Sequence, residues 1–325
     1  MEISASIIIP TYNNLENLKC LLKSFENQTV PGEKYEIIVV DDGSTDGTRE
    51  FITERIKSYP IKYIRHAENK GLPAARNSGI KSSAGAVLIF IDSDMEVVDD
   101  FIKEHLKLLN FDNHAGFVGN VKQKIKMKDS KFSKFLNRKN RGARGFREGE
   151  TIPCKMVLFG NASIKRELIY EAGFFDERIR GYGGHEIDFA ARLYALGKGG
   201  FVFNPRAISY HRHERDFEST LKLLEDFGRG TLGYIISKNP HLKYDYNVHL
   251  LEKMDFRKDG LRTAIGKIFM KLLLKDCTAS LSLKIYTHFP SFISNLIIKF
   301  LLGYHILKGY IKKHVSSSRF TPGRG

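Results

Sequence analysis

The sequence predicts an α/β protein with a mostly parallel central sheet, flanking helices and a helical C-terminal extension. In the first hundred residues, short apolar runs alternate with segments whose apolar residues recur at helical spacing, and the runs end in polar residues. Strands buried on both faces have such continuous apolar runs, and their alternation with helices is typical of a parallel sheet. The 325 residues, 42% of them hydrophobic, suffice for one large domain or two smaller ones.

Four strands are predicted in this first part of the chain, at residues 5–10, 36–40, 61–64 and 86–91. Three helices are indicated between them, the first by leucines at helical spacing after the candidate caps Asn13 and Asn14. The second follows the candidate cap Asp46, and the third opens at Pro73.

After residue 115 the pattern is weaker. We expect strands at 117–125, 157–164, 201–203 and 207–211, helices at 168–172 and 186–196, a basic loop at 126–150 and helices from 217 onward. The last ten residues, 316–325, are expected to form a flexible tail.

The basic excess of the chain is concentrated in two stretches. Residues 122–147 hold eleven basic residues and one acid, and residues 257–325 hold thirteen and two, within a formal net charge of +15. Such local excess indicates an anionic partner for at least one surface. The three cysteines are widely separated and offer no disulfide framework, so we expect a cytoplasmic location.

Polar residues follow three of the predicted strands. The strand at 5–10 is followed by Thr11, Tyr12 and Asn13, the strand at 36–40 by Asp41 and Asp42, and the strand at 86–91 by Asp92, Ser93 and Asp94. Because ligands of open α/β sheets bind at the carboxyl ends of the strands, these segments are expected to converge on one site. Asp92 and Asp94 offer hard oxygen ligands to Mg²⁺ or Mn²⁺, and a turn that begins with Asp is the alternative. The loop that starts at Asp42 has Thr53 where a calcium loop needs Glu, which excludes an EF-hand.

Two further charged groups flank predicted helix starts. Lys70 and Arg76 surround the start of the third helix, where they can hold a diphosphate, with solvated surface charge as the alternative. A glycine-rich turn at 181–184 precedes Glu186 and Asp188. Two residues of separation cannot share one helical face, so we expect one acid to face a cleft, unless both only complement the helix dipole.

Two histidines two residues apart, His211 and His213, would point to the same face of a strand. They fit a metal site or a structural role equally well. Lys122, Lys124, Lys126 and Lys128 alternate in the same way and would present four ammonium groups, with a mobile loop as the alternative.

In chain order, four segments closely resemble family 2 glycosyltransferases of the GT-A fold: IIIPTYN at 7–13, IVVDDGSTD at 38–46, NKGLPAARN at 69–77 and IDSD at 91–94. The likeness spans about residues 3–215. It implies a catalytic domain at 1–230, with a nucleotide-binding half at 1–115 and an acceptor half at 116–230, and a basic helical extension at 231–315.

The resemblance also implies roles for individual residues. It assigns the nucleotide-sugar donor to Pro10, Thr11, Tyr12, Asn13, Asp41, Asp42, Lys70, Arg76, Asp92 and Ser93. It makes Asp94 and His211 ligands of a divalent cation, Mn²⁺ or Mg²⁺, with His213 as the alternative to His211. The catalytic base falls on Glu186, although His185 stands where the family has Glu and Glu186 where it has Asp. Asp188 matches a second acid, so the choice of base between Glu186 and Asp188 stays open.

The implied function is inverting transfer of a hexosyl or N-acetylhexosaminyl group from a nucleotide-diphosphate sugar to a hydroxyl of a glycan or lipid-linked acceptor. The implied setting is cell-surface polysaccharide biosynthesis. A catalytically silent sugar-nucleotide-binding protein is one alternative. A basic nucleic-acid-binding protein, stacking bases on Phe132, Phe135 and Phe146, is another. It leaves the strand-end aspartates unexplained because acids repel phosphate, so no nucleic-acid partner is expected.

The apolar and basic stretch 289–315 has two interpretations. It can lie on the anionic inner face of the plasma membrane as a peripheral contact, or it can pack against the catalytic domain. Lys299 interrupts it, which argues against a membrane span.

Overall fold

The computed structural model describes residues 3–56, 61–123, 130–212, 216–252, 254–255, 260–288 and 291–314, apart from the side chains of Ser130, Ser291, Phe292 and His314. The chain divides into two compact units. The first comprises Met1–Lys126, Leu136–Arg180 and His185–Glu214, and the second Met127–Phe135, Gly181–Gly184 and Arg215–Gly325. The second unit therefore includes the chain from Arg215 onward. The functional boundary that the sequence predicts lies after residue 230. The functional division of the chain stays a prediction, and the expected tail at 316–325 lies outside the described residues.

The strands are β1 (Ala5–Thr11), β2 (Tyr35–Asp41), β3 (Ile61–Arg65), β4 (Val87–Ile91), β5 (Met95–Val97), β6 (His114–Gln123), β7 (Asn161–Lys165) and β8 (Gly200–His211). Within the described residues they form one sheet in the order β3-β2-β1-β4-β7-β6-β8-β5. The pairs β3-β2, β2-β1, β1-β4 and β6-β8 are parallel. The other three pairs are antiparallel. This sheet with its flanking helices confirms the predicted α/β class.

The helices are α1 (Leu15–Ser24), α2 (Thr48–Arg55), α3 (Leu72–Ser82), α4 (Phe101–Leu106), α5 (Ser130–Leu136), α6 (Arg166–Ala172), α7 (His185–Ala195), α8 (Phe217–Phe227), α9 (Gly233–Lys238), α10 (Leu242–Asp245), α11 (Leu261–Leu273), α12 (Asp276–His288) and α13 (Ser291–His314). The described residues after Asp216 form helices and the turns between them, as the sequence predicts.

The central strand β1 is mostly apolar, with Ser6 and Thr11 as its polar residues. All seven of its residues are buried. Side chains alternate between the two faces of a strand. Ile7 and Ile9 therefore pack in one core cluster with Leu18 of α1. Ile8 packs in the other cluster with Phe90 of β4. Helices cover both faces of the sheet, so most positions of the strand are apolar, and the hydroxyl of Ser6 donates a hydrogen bond to Glu36.

Three local predictions need correction. The segments expected at 201–203 and 207–211 are one strand, β8, in which the register against β6 jumps from Asn204 to Ile208. This bulge accommodates Pro205, which has no N–H to donate to a ladder. The basic loop expected at 126–150 contains helix α5. Neither β5 nor α4 is evident from the pattern, because both are short.

The predicted helix caps also differ in detail. Asn14 occupies the N-cap position of α1 but makes no side-chain cap bond. Asp46 serves two helix starts instead, since Oδ2 accepts from the backbone N–H of Leu15 at 2.8 Å and Oδ1 from that of Thr48 at 3.2 Å. These bonds lower the pKa of Asp46 against the opposing effect of its partial burial.

The second unit is built around the pair α8 and α13. Ile298, Leu301 and Leu307 of α13 are buried. At Gly309 an added Cβ would lie 1.9 Å from the carbonyl oxygen of Glu225, so glycine is required for the two helices to approach this closely. For these residues of the stretch 289–315, the packing interpretation is the one observed.

The aromatic residues of the basic stretch are also part of a core. Phe132 is 1% exposed and packs in the second unit against Phe217, with ring centroids 4.9 Å apart. Phe135 is buried as well. Buried rings cannot stack on bases, so the structure removes these stacking groups from the nucleic-acid interpretation.

Candidate active site

Three polar segments meet at one edge of the sheet in the first unit. Thr11 and Asp41 are paired at the ends of the parallel strands β1 and β2. Asn13 then accepts from the backbone N–H of Thr45 through Oδ1 at 2.8 Å, and its own N–H donates to Ser44 Oγ at 2.9 Å. The next residue, Asn14, donates through Nδ2 to Ser93 Oγ at 2.9 Å. The convergence expected from the sequence is therefore present.

The two aspartates after β2 are both buried and both bonded within the protein. Asp41 accepts from the backbone N–H of Ser44 at 2.8 Å and from the Tyr63 hydroxyl at 2.6 Å. Burial and the bond to Asp41 raise the pKa of Tyr63, which stays a donor. Asp42 accepts from the backbone N–H groups of Lys70 at 3.0 Å and Gly71 at 2.8 Å. These carboxylates shape the loops that follow β2 and precede α3.

Arg76 joins the acids that the sequence placed far apart. Its side chain is fully buried. Nη1 donates to Glu186 Oε1 and to His185 Nε2, both at 2.9 Å. Nη2 donates to Asp92 Oδ1 at 3.1 Å. The planar guanidinium can bridge three acceptors in this way, whereas a lysine ammonium is a point charge on a flexible stem.

His185, which stands where the resemblance implies Glu, takes part in this network through its contact with Arg76. Arginine only donates hydrogen bonds, so Nε2 of His185 must accept, and the imidazole is neutral with its hydrogen on Nδ1. A carboxylate at this position would also accept from Arg76. Compared with the Glu that the resemblance implies at this position, His185 keeps an acceptor for Arg76 and carries no negative charge.

Glu186 stands in the first turn of α7, directly after the glycine-rich turn. One oxygen, Oε1, accepts from Arg76 and also from the backbone N–H of Phe159 at 2.8 Å. The other oxygen, Oε2, makes no hydrogen bond to any residue that the structure describes. Gly183 and Gly184 have φ angles of 67° and 86°, a region in which residues with a Cβ are strained. The glycines thus set the direction in which α7 starts, and this turn geometry places Glu186.

Asp188 lies elsewhere on the same helix. Its side chain is fully buried, and Oδ2 accepts from Arg192 Nε at 3.1 Å. Arg192 in turn donates to the backbone carbonyls of Ala172, Gly173 and Phe174. The two acids of the turn therefore have different surroundings, Glu186 beside Asp92 and Asp188 in the interior.

The candidate metal ligands are brought together by strand pairing. Met95 and His211 are paired residues of the antiparallel strands β5 and β8. This places His211 Nε2 3.2 Å from Asp94 Oδ2. Among the residues the structure describes, no group of three or more His, Cys, Asp or Glu side chains could hold a metal ion. The alternative ligand His213 lies outside the described residues, as do Lys124, Lys126 and Lys128.

Asp92 lies between the arginine and the other acids. Its side chain keeps 38% of its surface exposed, yet the surrounding protein removes part of its hydration. This desolvation raises the pKa of Asp92, the nearby carboxylates of Asp94 and Glu186 raise it further, and Arg76 opposes the rise. Gly160 leaves the space for this carboxyl, since an added Cβ would lie 2.6 Å from Asp92 Oδ2.

The remaining predicted donor residues differ in exposure. Pro10 is buried in β1, and Ser93 is buried beside Asn14. Thr11 is also buried, and its Oγ1 has no hydrogen-bond partner among the described residues. Tyr12 is 49% exposed and Lys70 is exposed, so both can reach a ligand. The structure assigns none of these residues a ligand, and their roles stay predictions.

A buried polar network that the sequence did not reveal supports the strands of the site. His105 of α4 contacts Asn161 Oδ1 at 3.0 Å and Ser163 Oγ at 2.9 Å, and both partners are on β7. Asn161 donates onward to Ser209 Oγ of β8 at 2.8 Å. Complete burial lowers the pKa of His105 to about 4, so its imidazole is neutral. No motif marks these residues, because the bonds form only across strands that are distant in sequence.

Known proteins are similar to this chain in sequence and in fold. Residues 6–172, half of the chain, match the family described as Glycosyl transferase family 2, and the chain belongs to that family. Its sequence is 28% identical over 315 residues to the uncharacterized glycosyltransferase YfnE of Bacillus subtilis, covering 83% of this chain and 78% of YfnE.

Two solved structures have a similar fold. One is the mannosyltransferase PcManGT from Pyrobaculum calidifontis in complex with GDP-Man and Mn²⁺, with a TM-score of 0.63, 17% identity, and coverage of 96% of this chain and 89% of that one. The other is TarS residues 1–349 from S. aureus in complex with UDP, with a TM-score of 0.53, 17% identity, and coverage of 98% and 92%. Together with the family match, these likenesses confirm the GT-A fold.

In the described part of the chain, no helix has the length and apolar character needed to cross a membrane.

Proposed function

We propose that this protein is an inverting, divalent-cation-dependent glycosyltransferase. It would move a hexosyl or N-acetylhexosaminyl group from a nucleotide-diphosphate sugar to a hydroxyl of a glycan or lipid-linked acceptor, in cell-surface polysaccharide biosynthesis on the cytoplasmic side of the membrane. One observation carries the proposal. Arg76 donates hydrogen bonds to both Glu186 and Asp92. Asp92 lies two residues before Asp94 in the chain, and Asp94 contacts His211. The complexes of the two similar structures with GDP-Man and Mn²⁺ or with UDP support a nucleotide-sugar donor.

The residues Asp94 and His211 fit a divalent cation. Their facing atoms are 3.2 Å apart, and two adjacent ligands of an octahedral ion at about 2.1 Å are separated by about 3 Å. A carboxylate oxygen together with an imidazole nitrogen suits Mn²⁺, and Mg²⁺ also accepts carboxylates. Two protein ligands suffice, because such ions usually take further oxygens from substrate phosphates and water. When bound, the cation would stabilise negative charge on the departing diphosphate.

The donor would lie along the edge formed by the ends of β1, β2 and β4. Tyr12 and Lys70 are accessible there and can bond a ligand, whereas the Thr11 hydroxyl is buried. Asp41 and Asp42 would act through the loops they hold, since their carboxylates are bonded internally. The same holds for Arg76, whose Nη atoms bind acids and His185. These three residues would then position the donor site without making the direct contacts expected from the resemblance.

Glu186 would act as the general base. Its Oε1 is held by two donors, so the side chain has one orientation, and Oε2 is left to take the proton of the acceptor hydroxyl. That hydroxyl then attacks the anomeric carbon opposite the departing diphosphate, which inverts the configuration. Asp188, fully buried and bonded to Arg192, would support α7 and would not meet substrate.

The proposal is tested by donor turnover with purified full-length protein. A thermal-shift screen of nucleotide sugars, each with and without Mn²⁺, would first find the donor. We expect one nucleotide sugar to stabilise the protein and its hydrolysis or transfer to require Mn²⁺. Donor binding without turnover in the presence of candidate acceptors would instead indicate the silent sugar-nucleotide-binding protein. Binding of no nucleotide sugar would contradict both.

A further inference from the structure

Helix α11 in the second unit carries an apolar face that the described residues leave exposed. Five large side chains on this helix are between 53% and 78% exposed, and they are Leu261, Ile265, Ile268, Phe269 and Leu272. At about 100° per residue, all five fall within an arc of about 100°. We call this set the α11 apolar face. Contiguous exposed apolar surface of this kind marks an interaction site.

The opposite side of α11 is the one that packs. Lys267, about half a turn away from the apolar face, is 4% exposed. An added Cβ at Gly266 would lie 3.1 Å from Leu250, in the 3₁₀ turn Val248–Leu251 that lies against the helix. The helix is therefore seated by the side that carries Gly266, Lys267 and the half-buried Met270 and Leu273. The five side chains of the α11 apolar face lie on the other side and are exposed.

Cations line the α11 apolar face on both edges. On the helical wheel, Arg262 and Lys271 stand at about 100° and −80° from Leu261, which is about 20° beyond one edge of the arc and about 60° beyond the other. Both are exposed, and so is Lys275 beyond the end of the helix. The segment 260–275 contains no Asp or Glu. An amphipathic helix with an apolar stripe and basic borders lies in the plane of an anionic membrane surface, with its stripe in the acyl boundary.

We propose that the α11 apolar face binds the protein to the surface of an anionic lipid bilayer. Charge decides between this occupant and a second copy of the chain. A symmetric pair would bring the basic borders of two α11 helices against each other, and like charges across an interface are unfavourable. Anionic headgroups at the borders and acyl chains under the stripe complement both features. The membrane contact is thus assigned to α11 and not to the stretch 289–315, where Ile298, Leu301 and Leu307 are buried in the protein.

The experiment is flotation of the full-length protein with vesicles of phosphatidylcholine alone or with added phosphatidylglycerol. The wild type should float with the anionic vesicles, less so as salt is raised. Ile265→Ser/Phe269→Ser should weaken binding at least about tenfold by removing apolar area. Arg262→Gln/Lys271→Gln should weaken it about tenfold and reduce its dependence on phosphatidylglycerol. Leu261→Ser should also weaken vesicle binding. Leu261 is the most exposed residue of the α11 apolar face, so this substitution should disturb folding least.

The matched control is Ile293→Ser/Leu296→Ser on α13, which also removes two exposed apolar side chains. It should bind vesicles as the wild type does. Absence of vesicle binding by the wild type, or loss of binding in the control, would overturn the assignment. So would a wild-type dimer in sedimentation that Ile265→Ser/Phe269→Ser makes monomeric, because a second copy would then cover the face. Vesicle binding involves no chemistry, so its failure would leave the proposed sugar transfer untouched.

Discussion

Arg76 and Glu186 are joined by a 2.9 Å hydrogen bond between Nη1 and Oε1, although they belong to helices α3 and α7, more than a hundred residues apart. The same guanidinium reaches Asp92 at the end of β4. One buried cation therefore fixes the relative positions of the candidate base and the candidate donor-binding acid. Removing it would leave both acids and His185 without their shared donor.

Arg76→Met should lower the free energy of unfolding by about 3–5 kcal/mol, because it leaves a partly buried carboxylate cluster without its countercharge. Urea denaturation measures this loss. Arg206→Met is the control, since Arg206 makes an exposed pair with Glu148 and its loss should cost less than about 1 kcal/mol. Equal stability of the two variants would show that Arg76 does not hold the cluster.

Glu186→Gln should lower kcat by about a hundredfold to ten-thousandfold, the range that general-base catalysis contributes. The amide keeps the acceptor oxygen for Arg76, so donor affinity should stay nearly unchanged. Steady-state kinetics and donor titration measure the two quantities.

Asp188→Asn is the matched variant on the same helix. It should reduce stability by about 1–3 kcal/mol through the weakened bond to Arg192, with little change in kcat. The reverse pattern, normal turnover in Glu186→Gln and lost turnover in Asp188→Asn, would move the base to Asp188.

His211→Ala and Asp94→Ala should each raise the Mn²⁺ concentration needed for half-maximal turnover by about tenfold or more, since even outer partners of metal ligands contribute about that much. Calorimetric titration of Mn²⁺ in the presence of the nucleotide diphosphate gives a second readout. His288→Ala, an exposed histidine of the second unit, should leave both values unchanged. An unaltered Mn²⁺ requirement in the site variants would reject this pair as the metal site.

Stability should fall below pH 6.5 through His105. Its pKa of about 4 in the folded protein lies below the value near 6.5 of the unfolded chain, so between these values the unfolded state binds more protons. The contribution of His105 therefore lowers the free energy of unfolding by about 2 kcal/mol when the pH falls from 7 to 5.

The measurement is urea denaturation at both pH values for the wild type, His105→Gln and the exposed control His288→Gln. The difference between pH 7 and pH 5 should shrink only in His105→Gln. A pH dependence that is the same in all three proteins would contradict the low pKa of His105.

Much of the fold follows from local patterns. The apolar runs of β1, β2 and β4 are continuous because helices cover both faces of the sheet, and this alone predicts the α/β class. The positions of Thr11, Asp41 and Asp92 follow from the same rule, since parallel strands end at one edge. Short elements such as β5 escape prediction, because three residues carry no periodicity.

Packing determines which side chains with similar sequence patterns become buried and which partners they bond. Sequence spacing treats Glu186 and Asp188 alike, yet one meets Arg76 and the other is enclosed with Arg192. In the same way, α13 and α11 both combine apolar and basic residues in the sequence, but Leu301 is buried and Phe269 is exposed. Neighbours from distant parts of the chain make these differences.

The sequence by itself determined the family, the sheet and the set of residues at its carboxyl edge, because these depend on residue type and short-range order. Only the tertiary structure decided which of those residues bond to each other, as Arg76 does with His185, Glu186 and Asp92. The pairing of Asp94 with His211 also needed the antiparallel register of β5 and β8. Hydrogen bonds and burial depend on contacts between residues that are distant in sequence, and local sequence patterns do not predict those contacts.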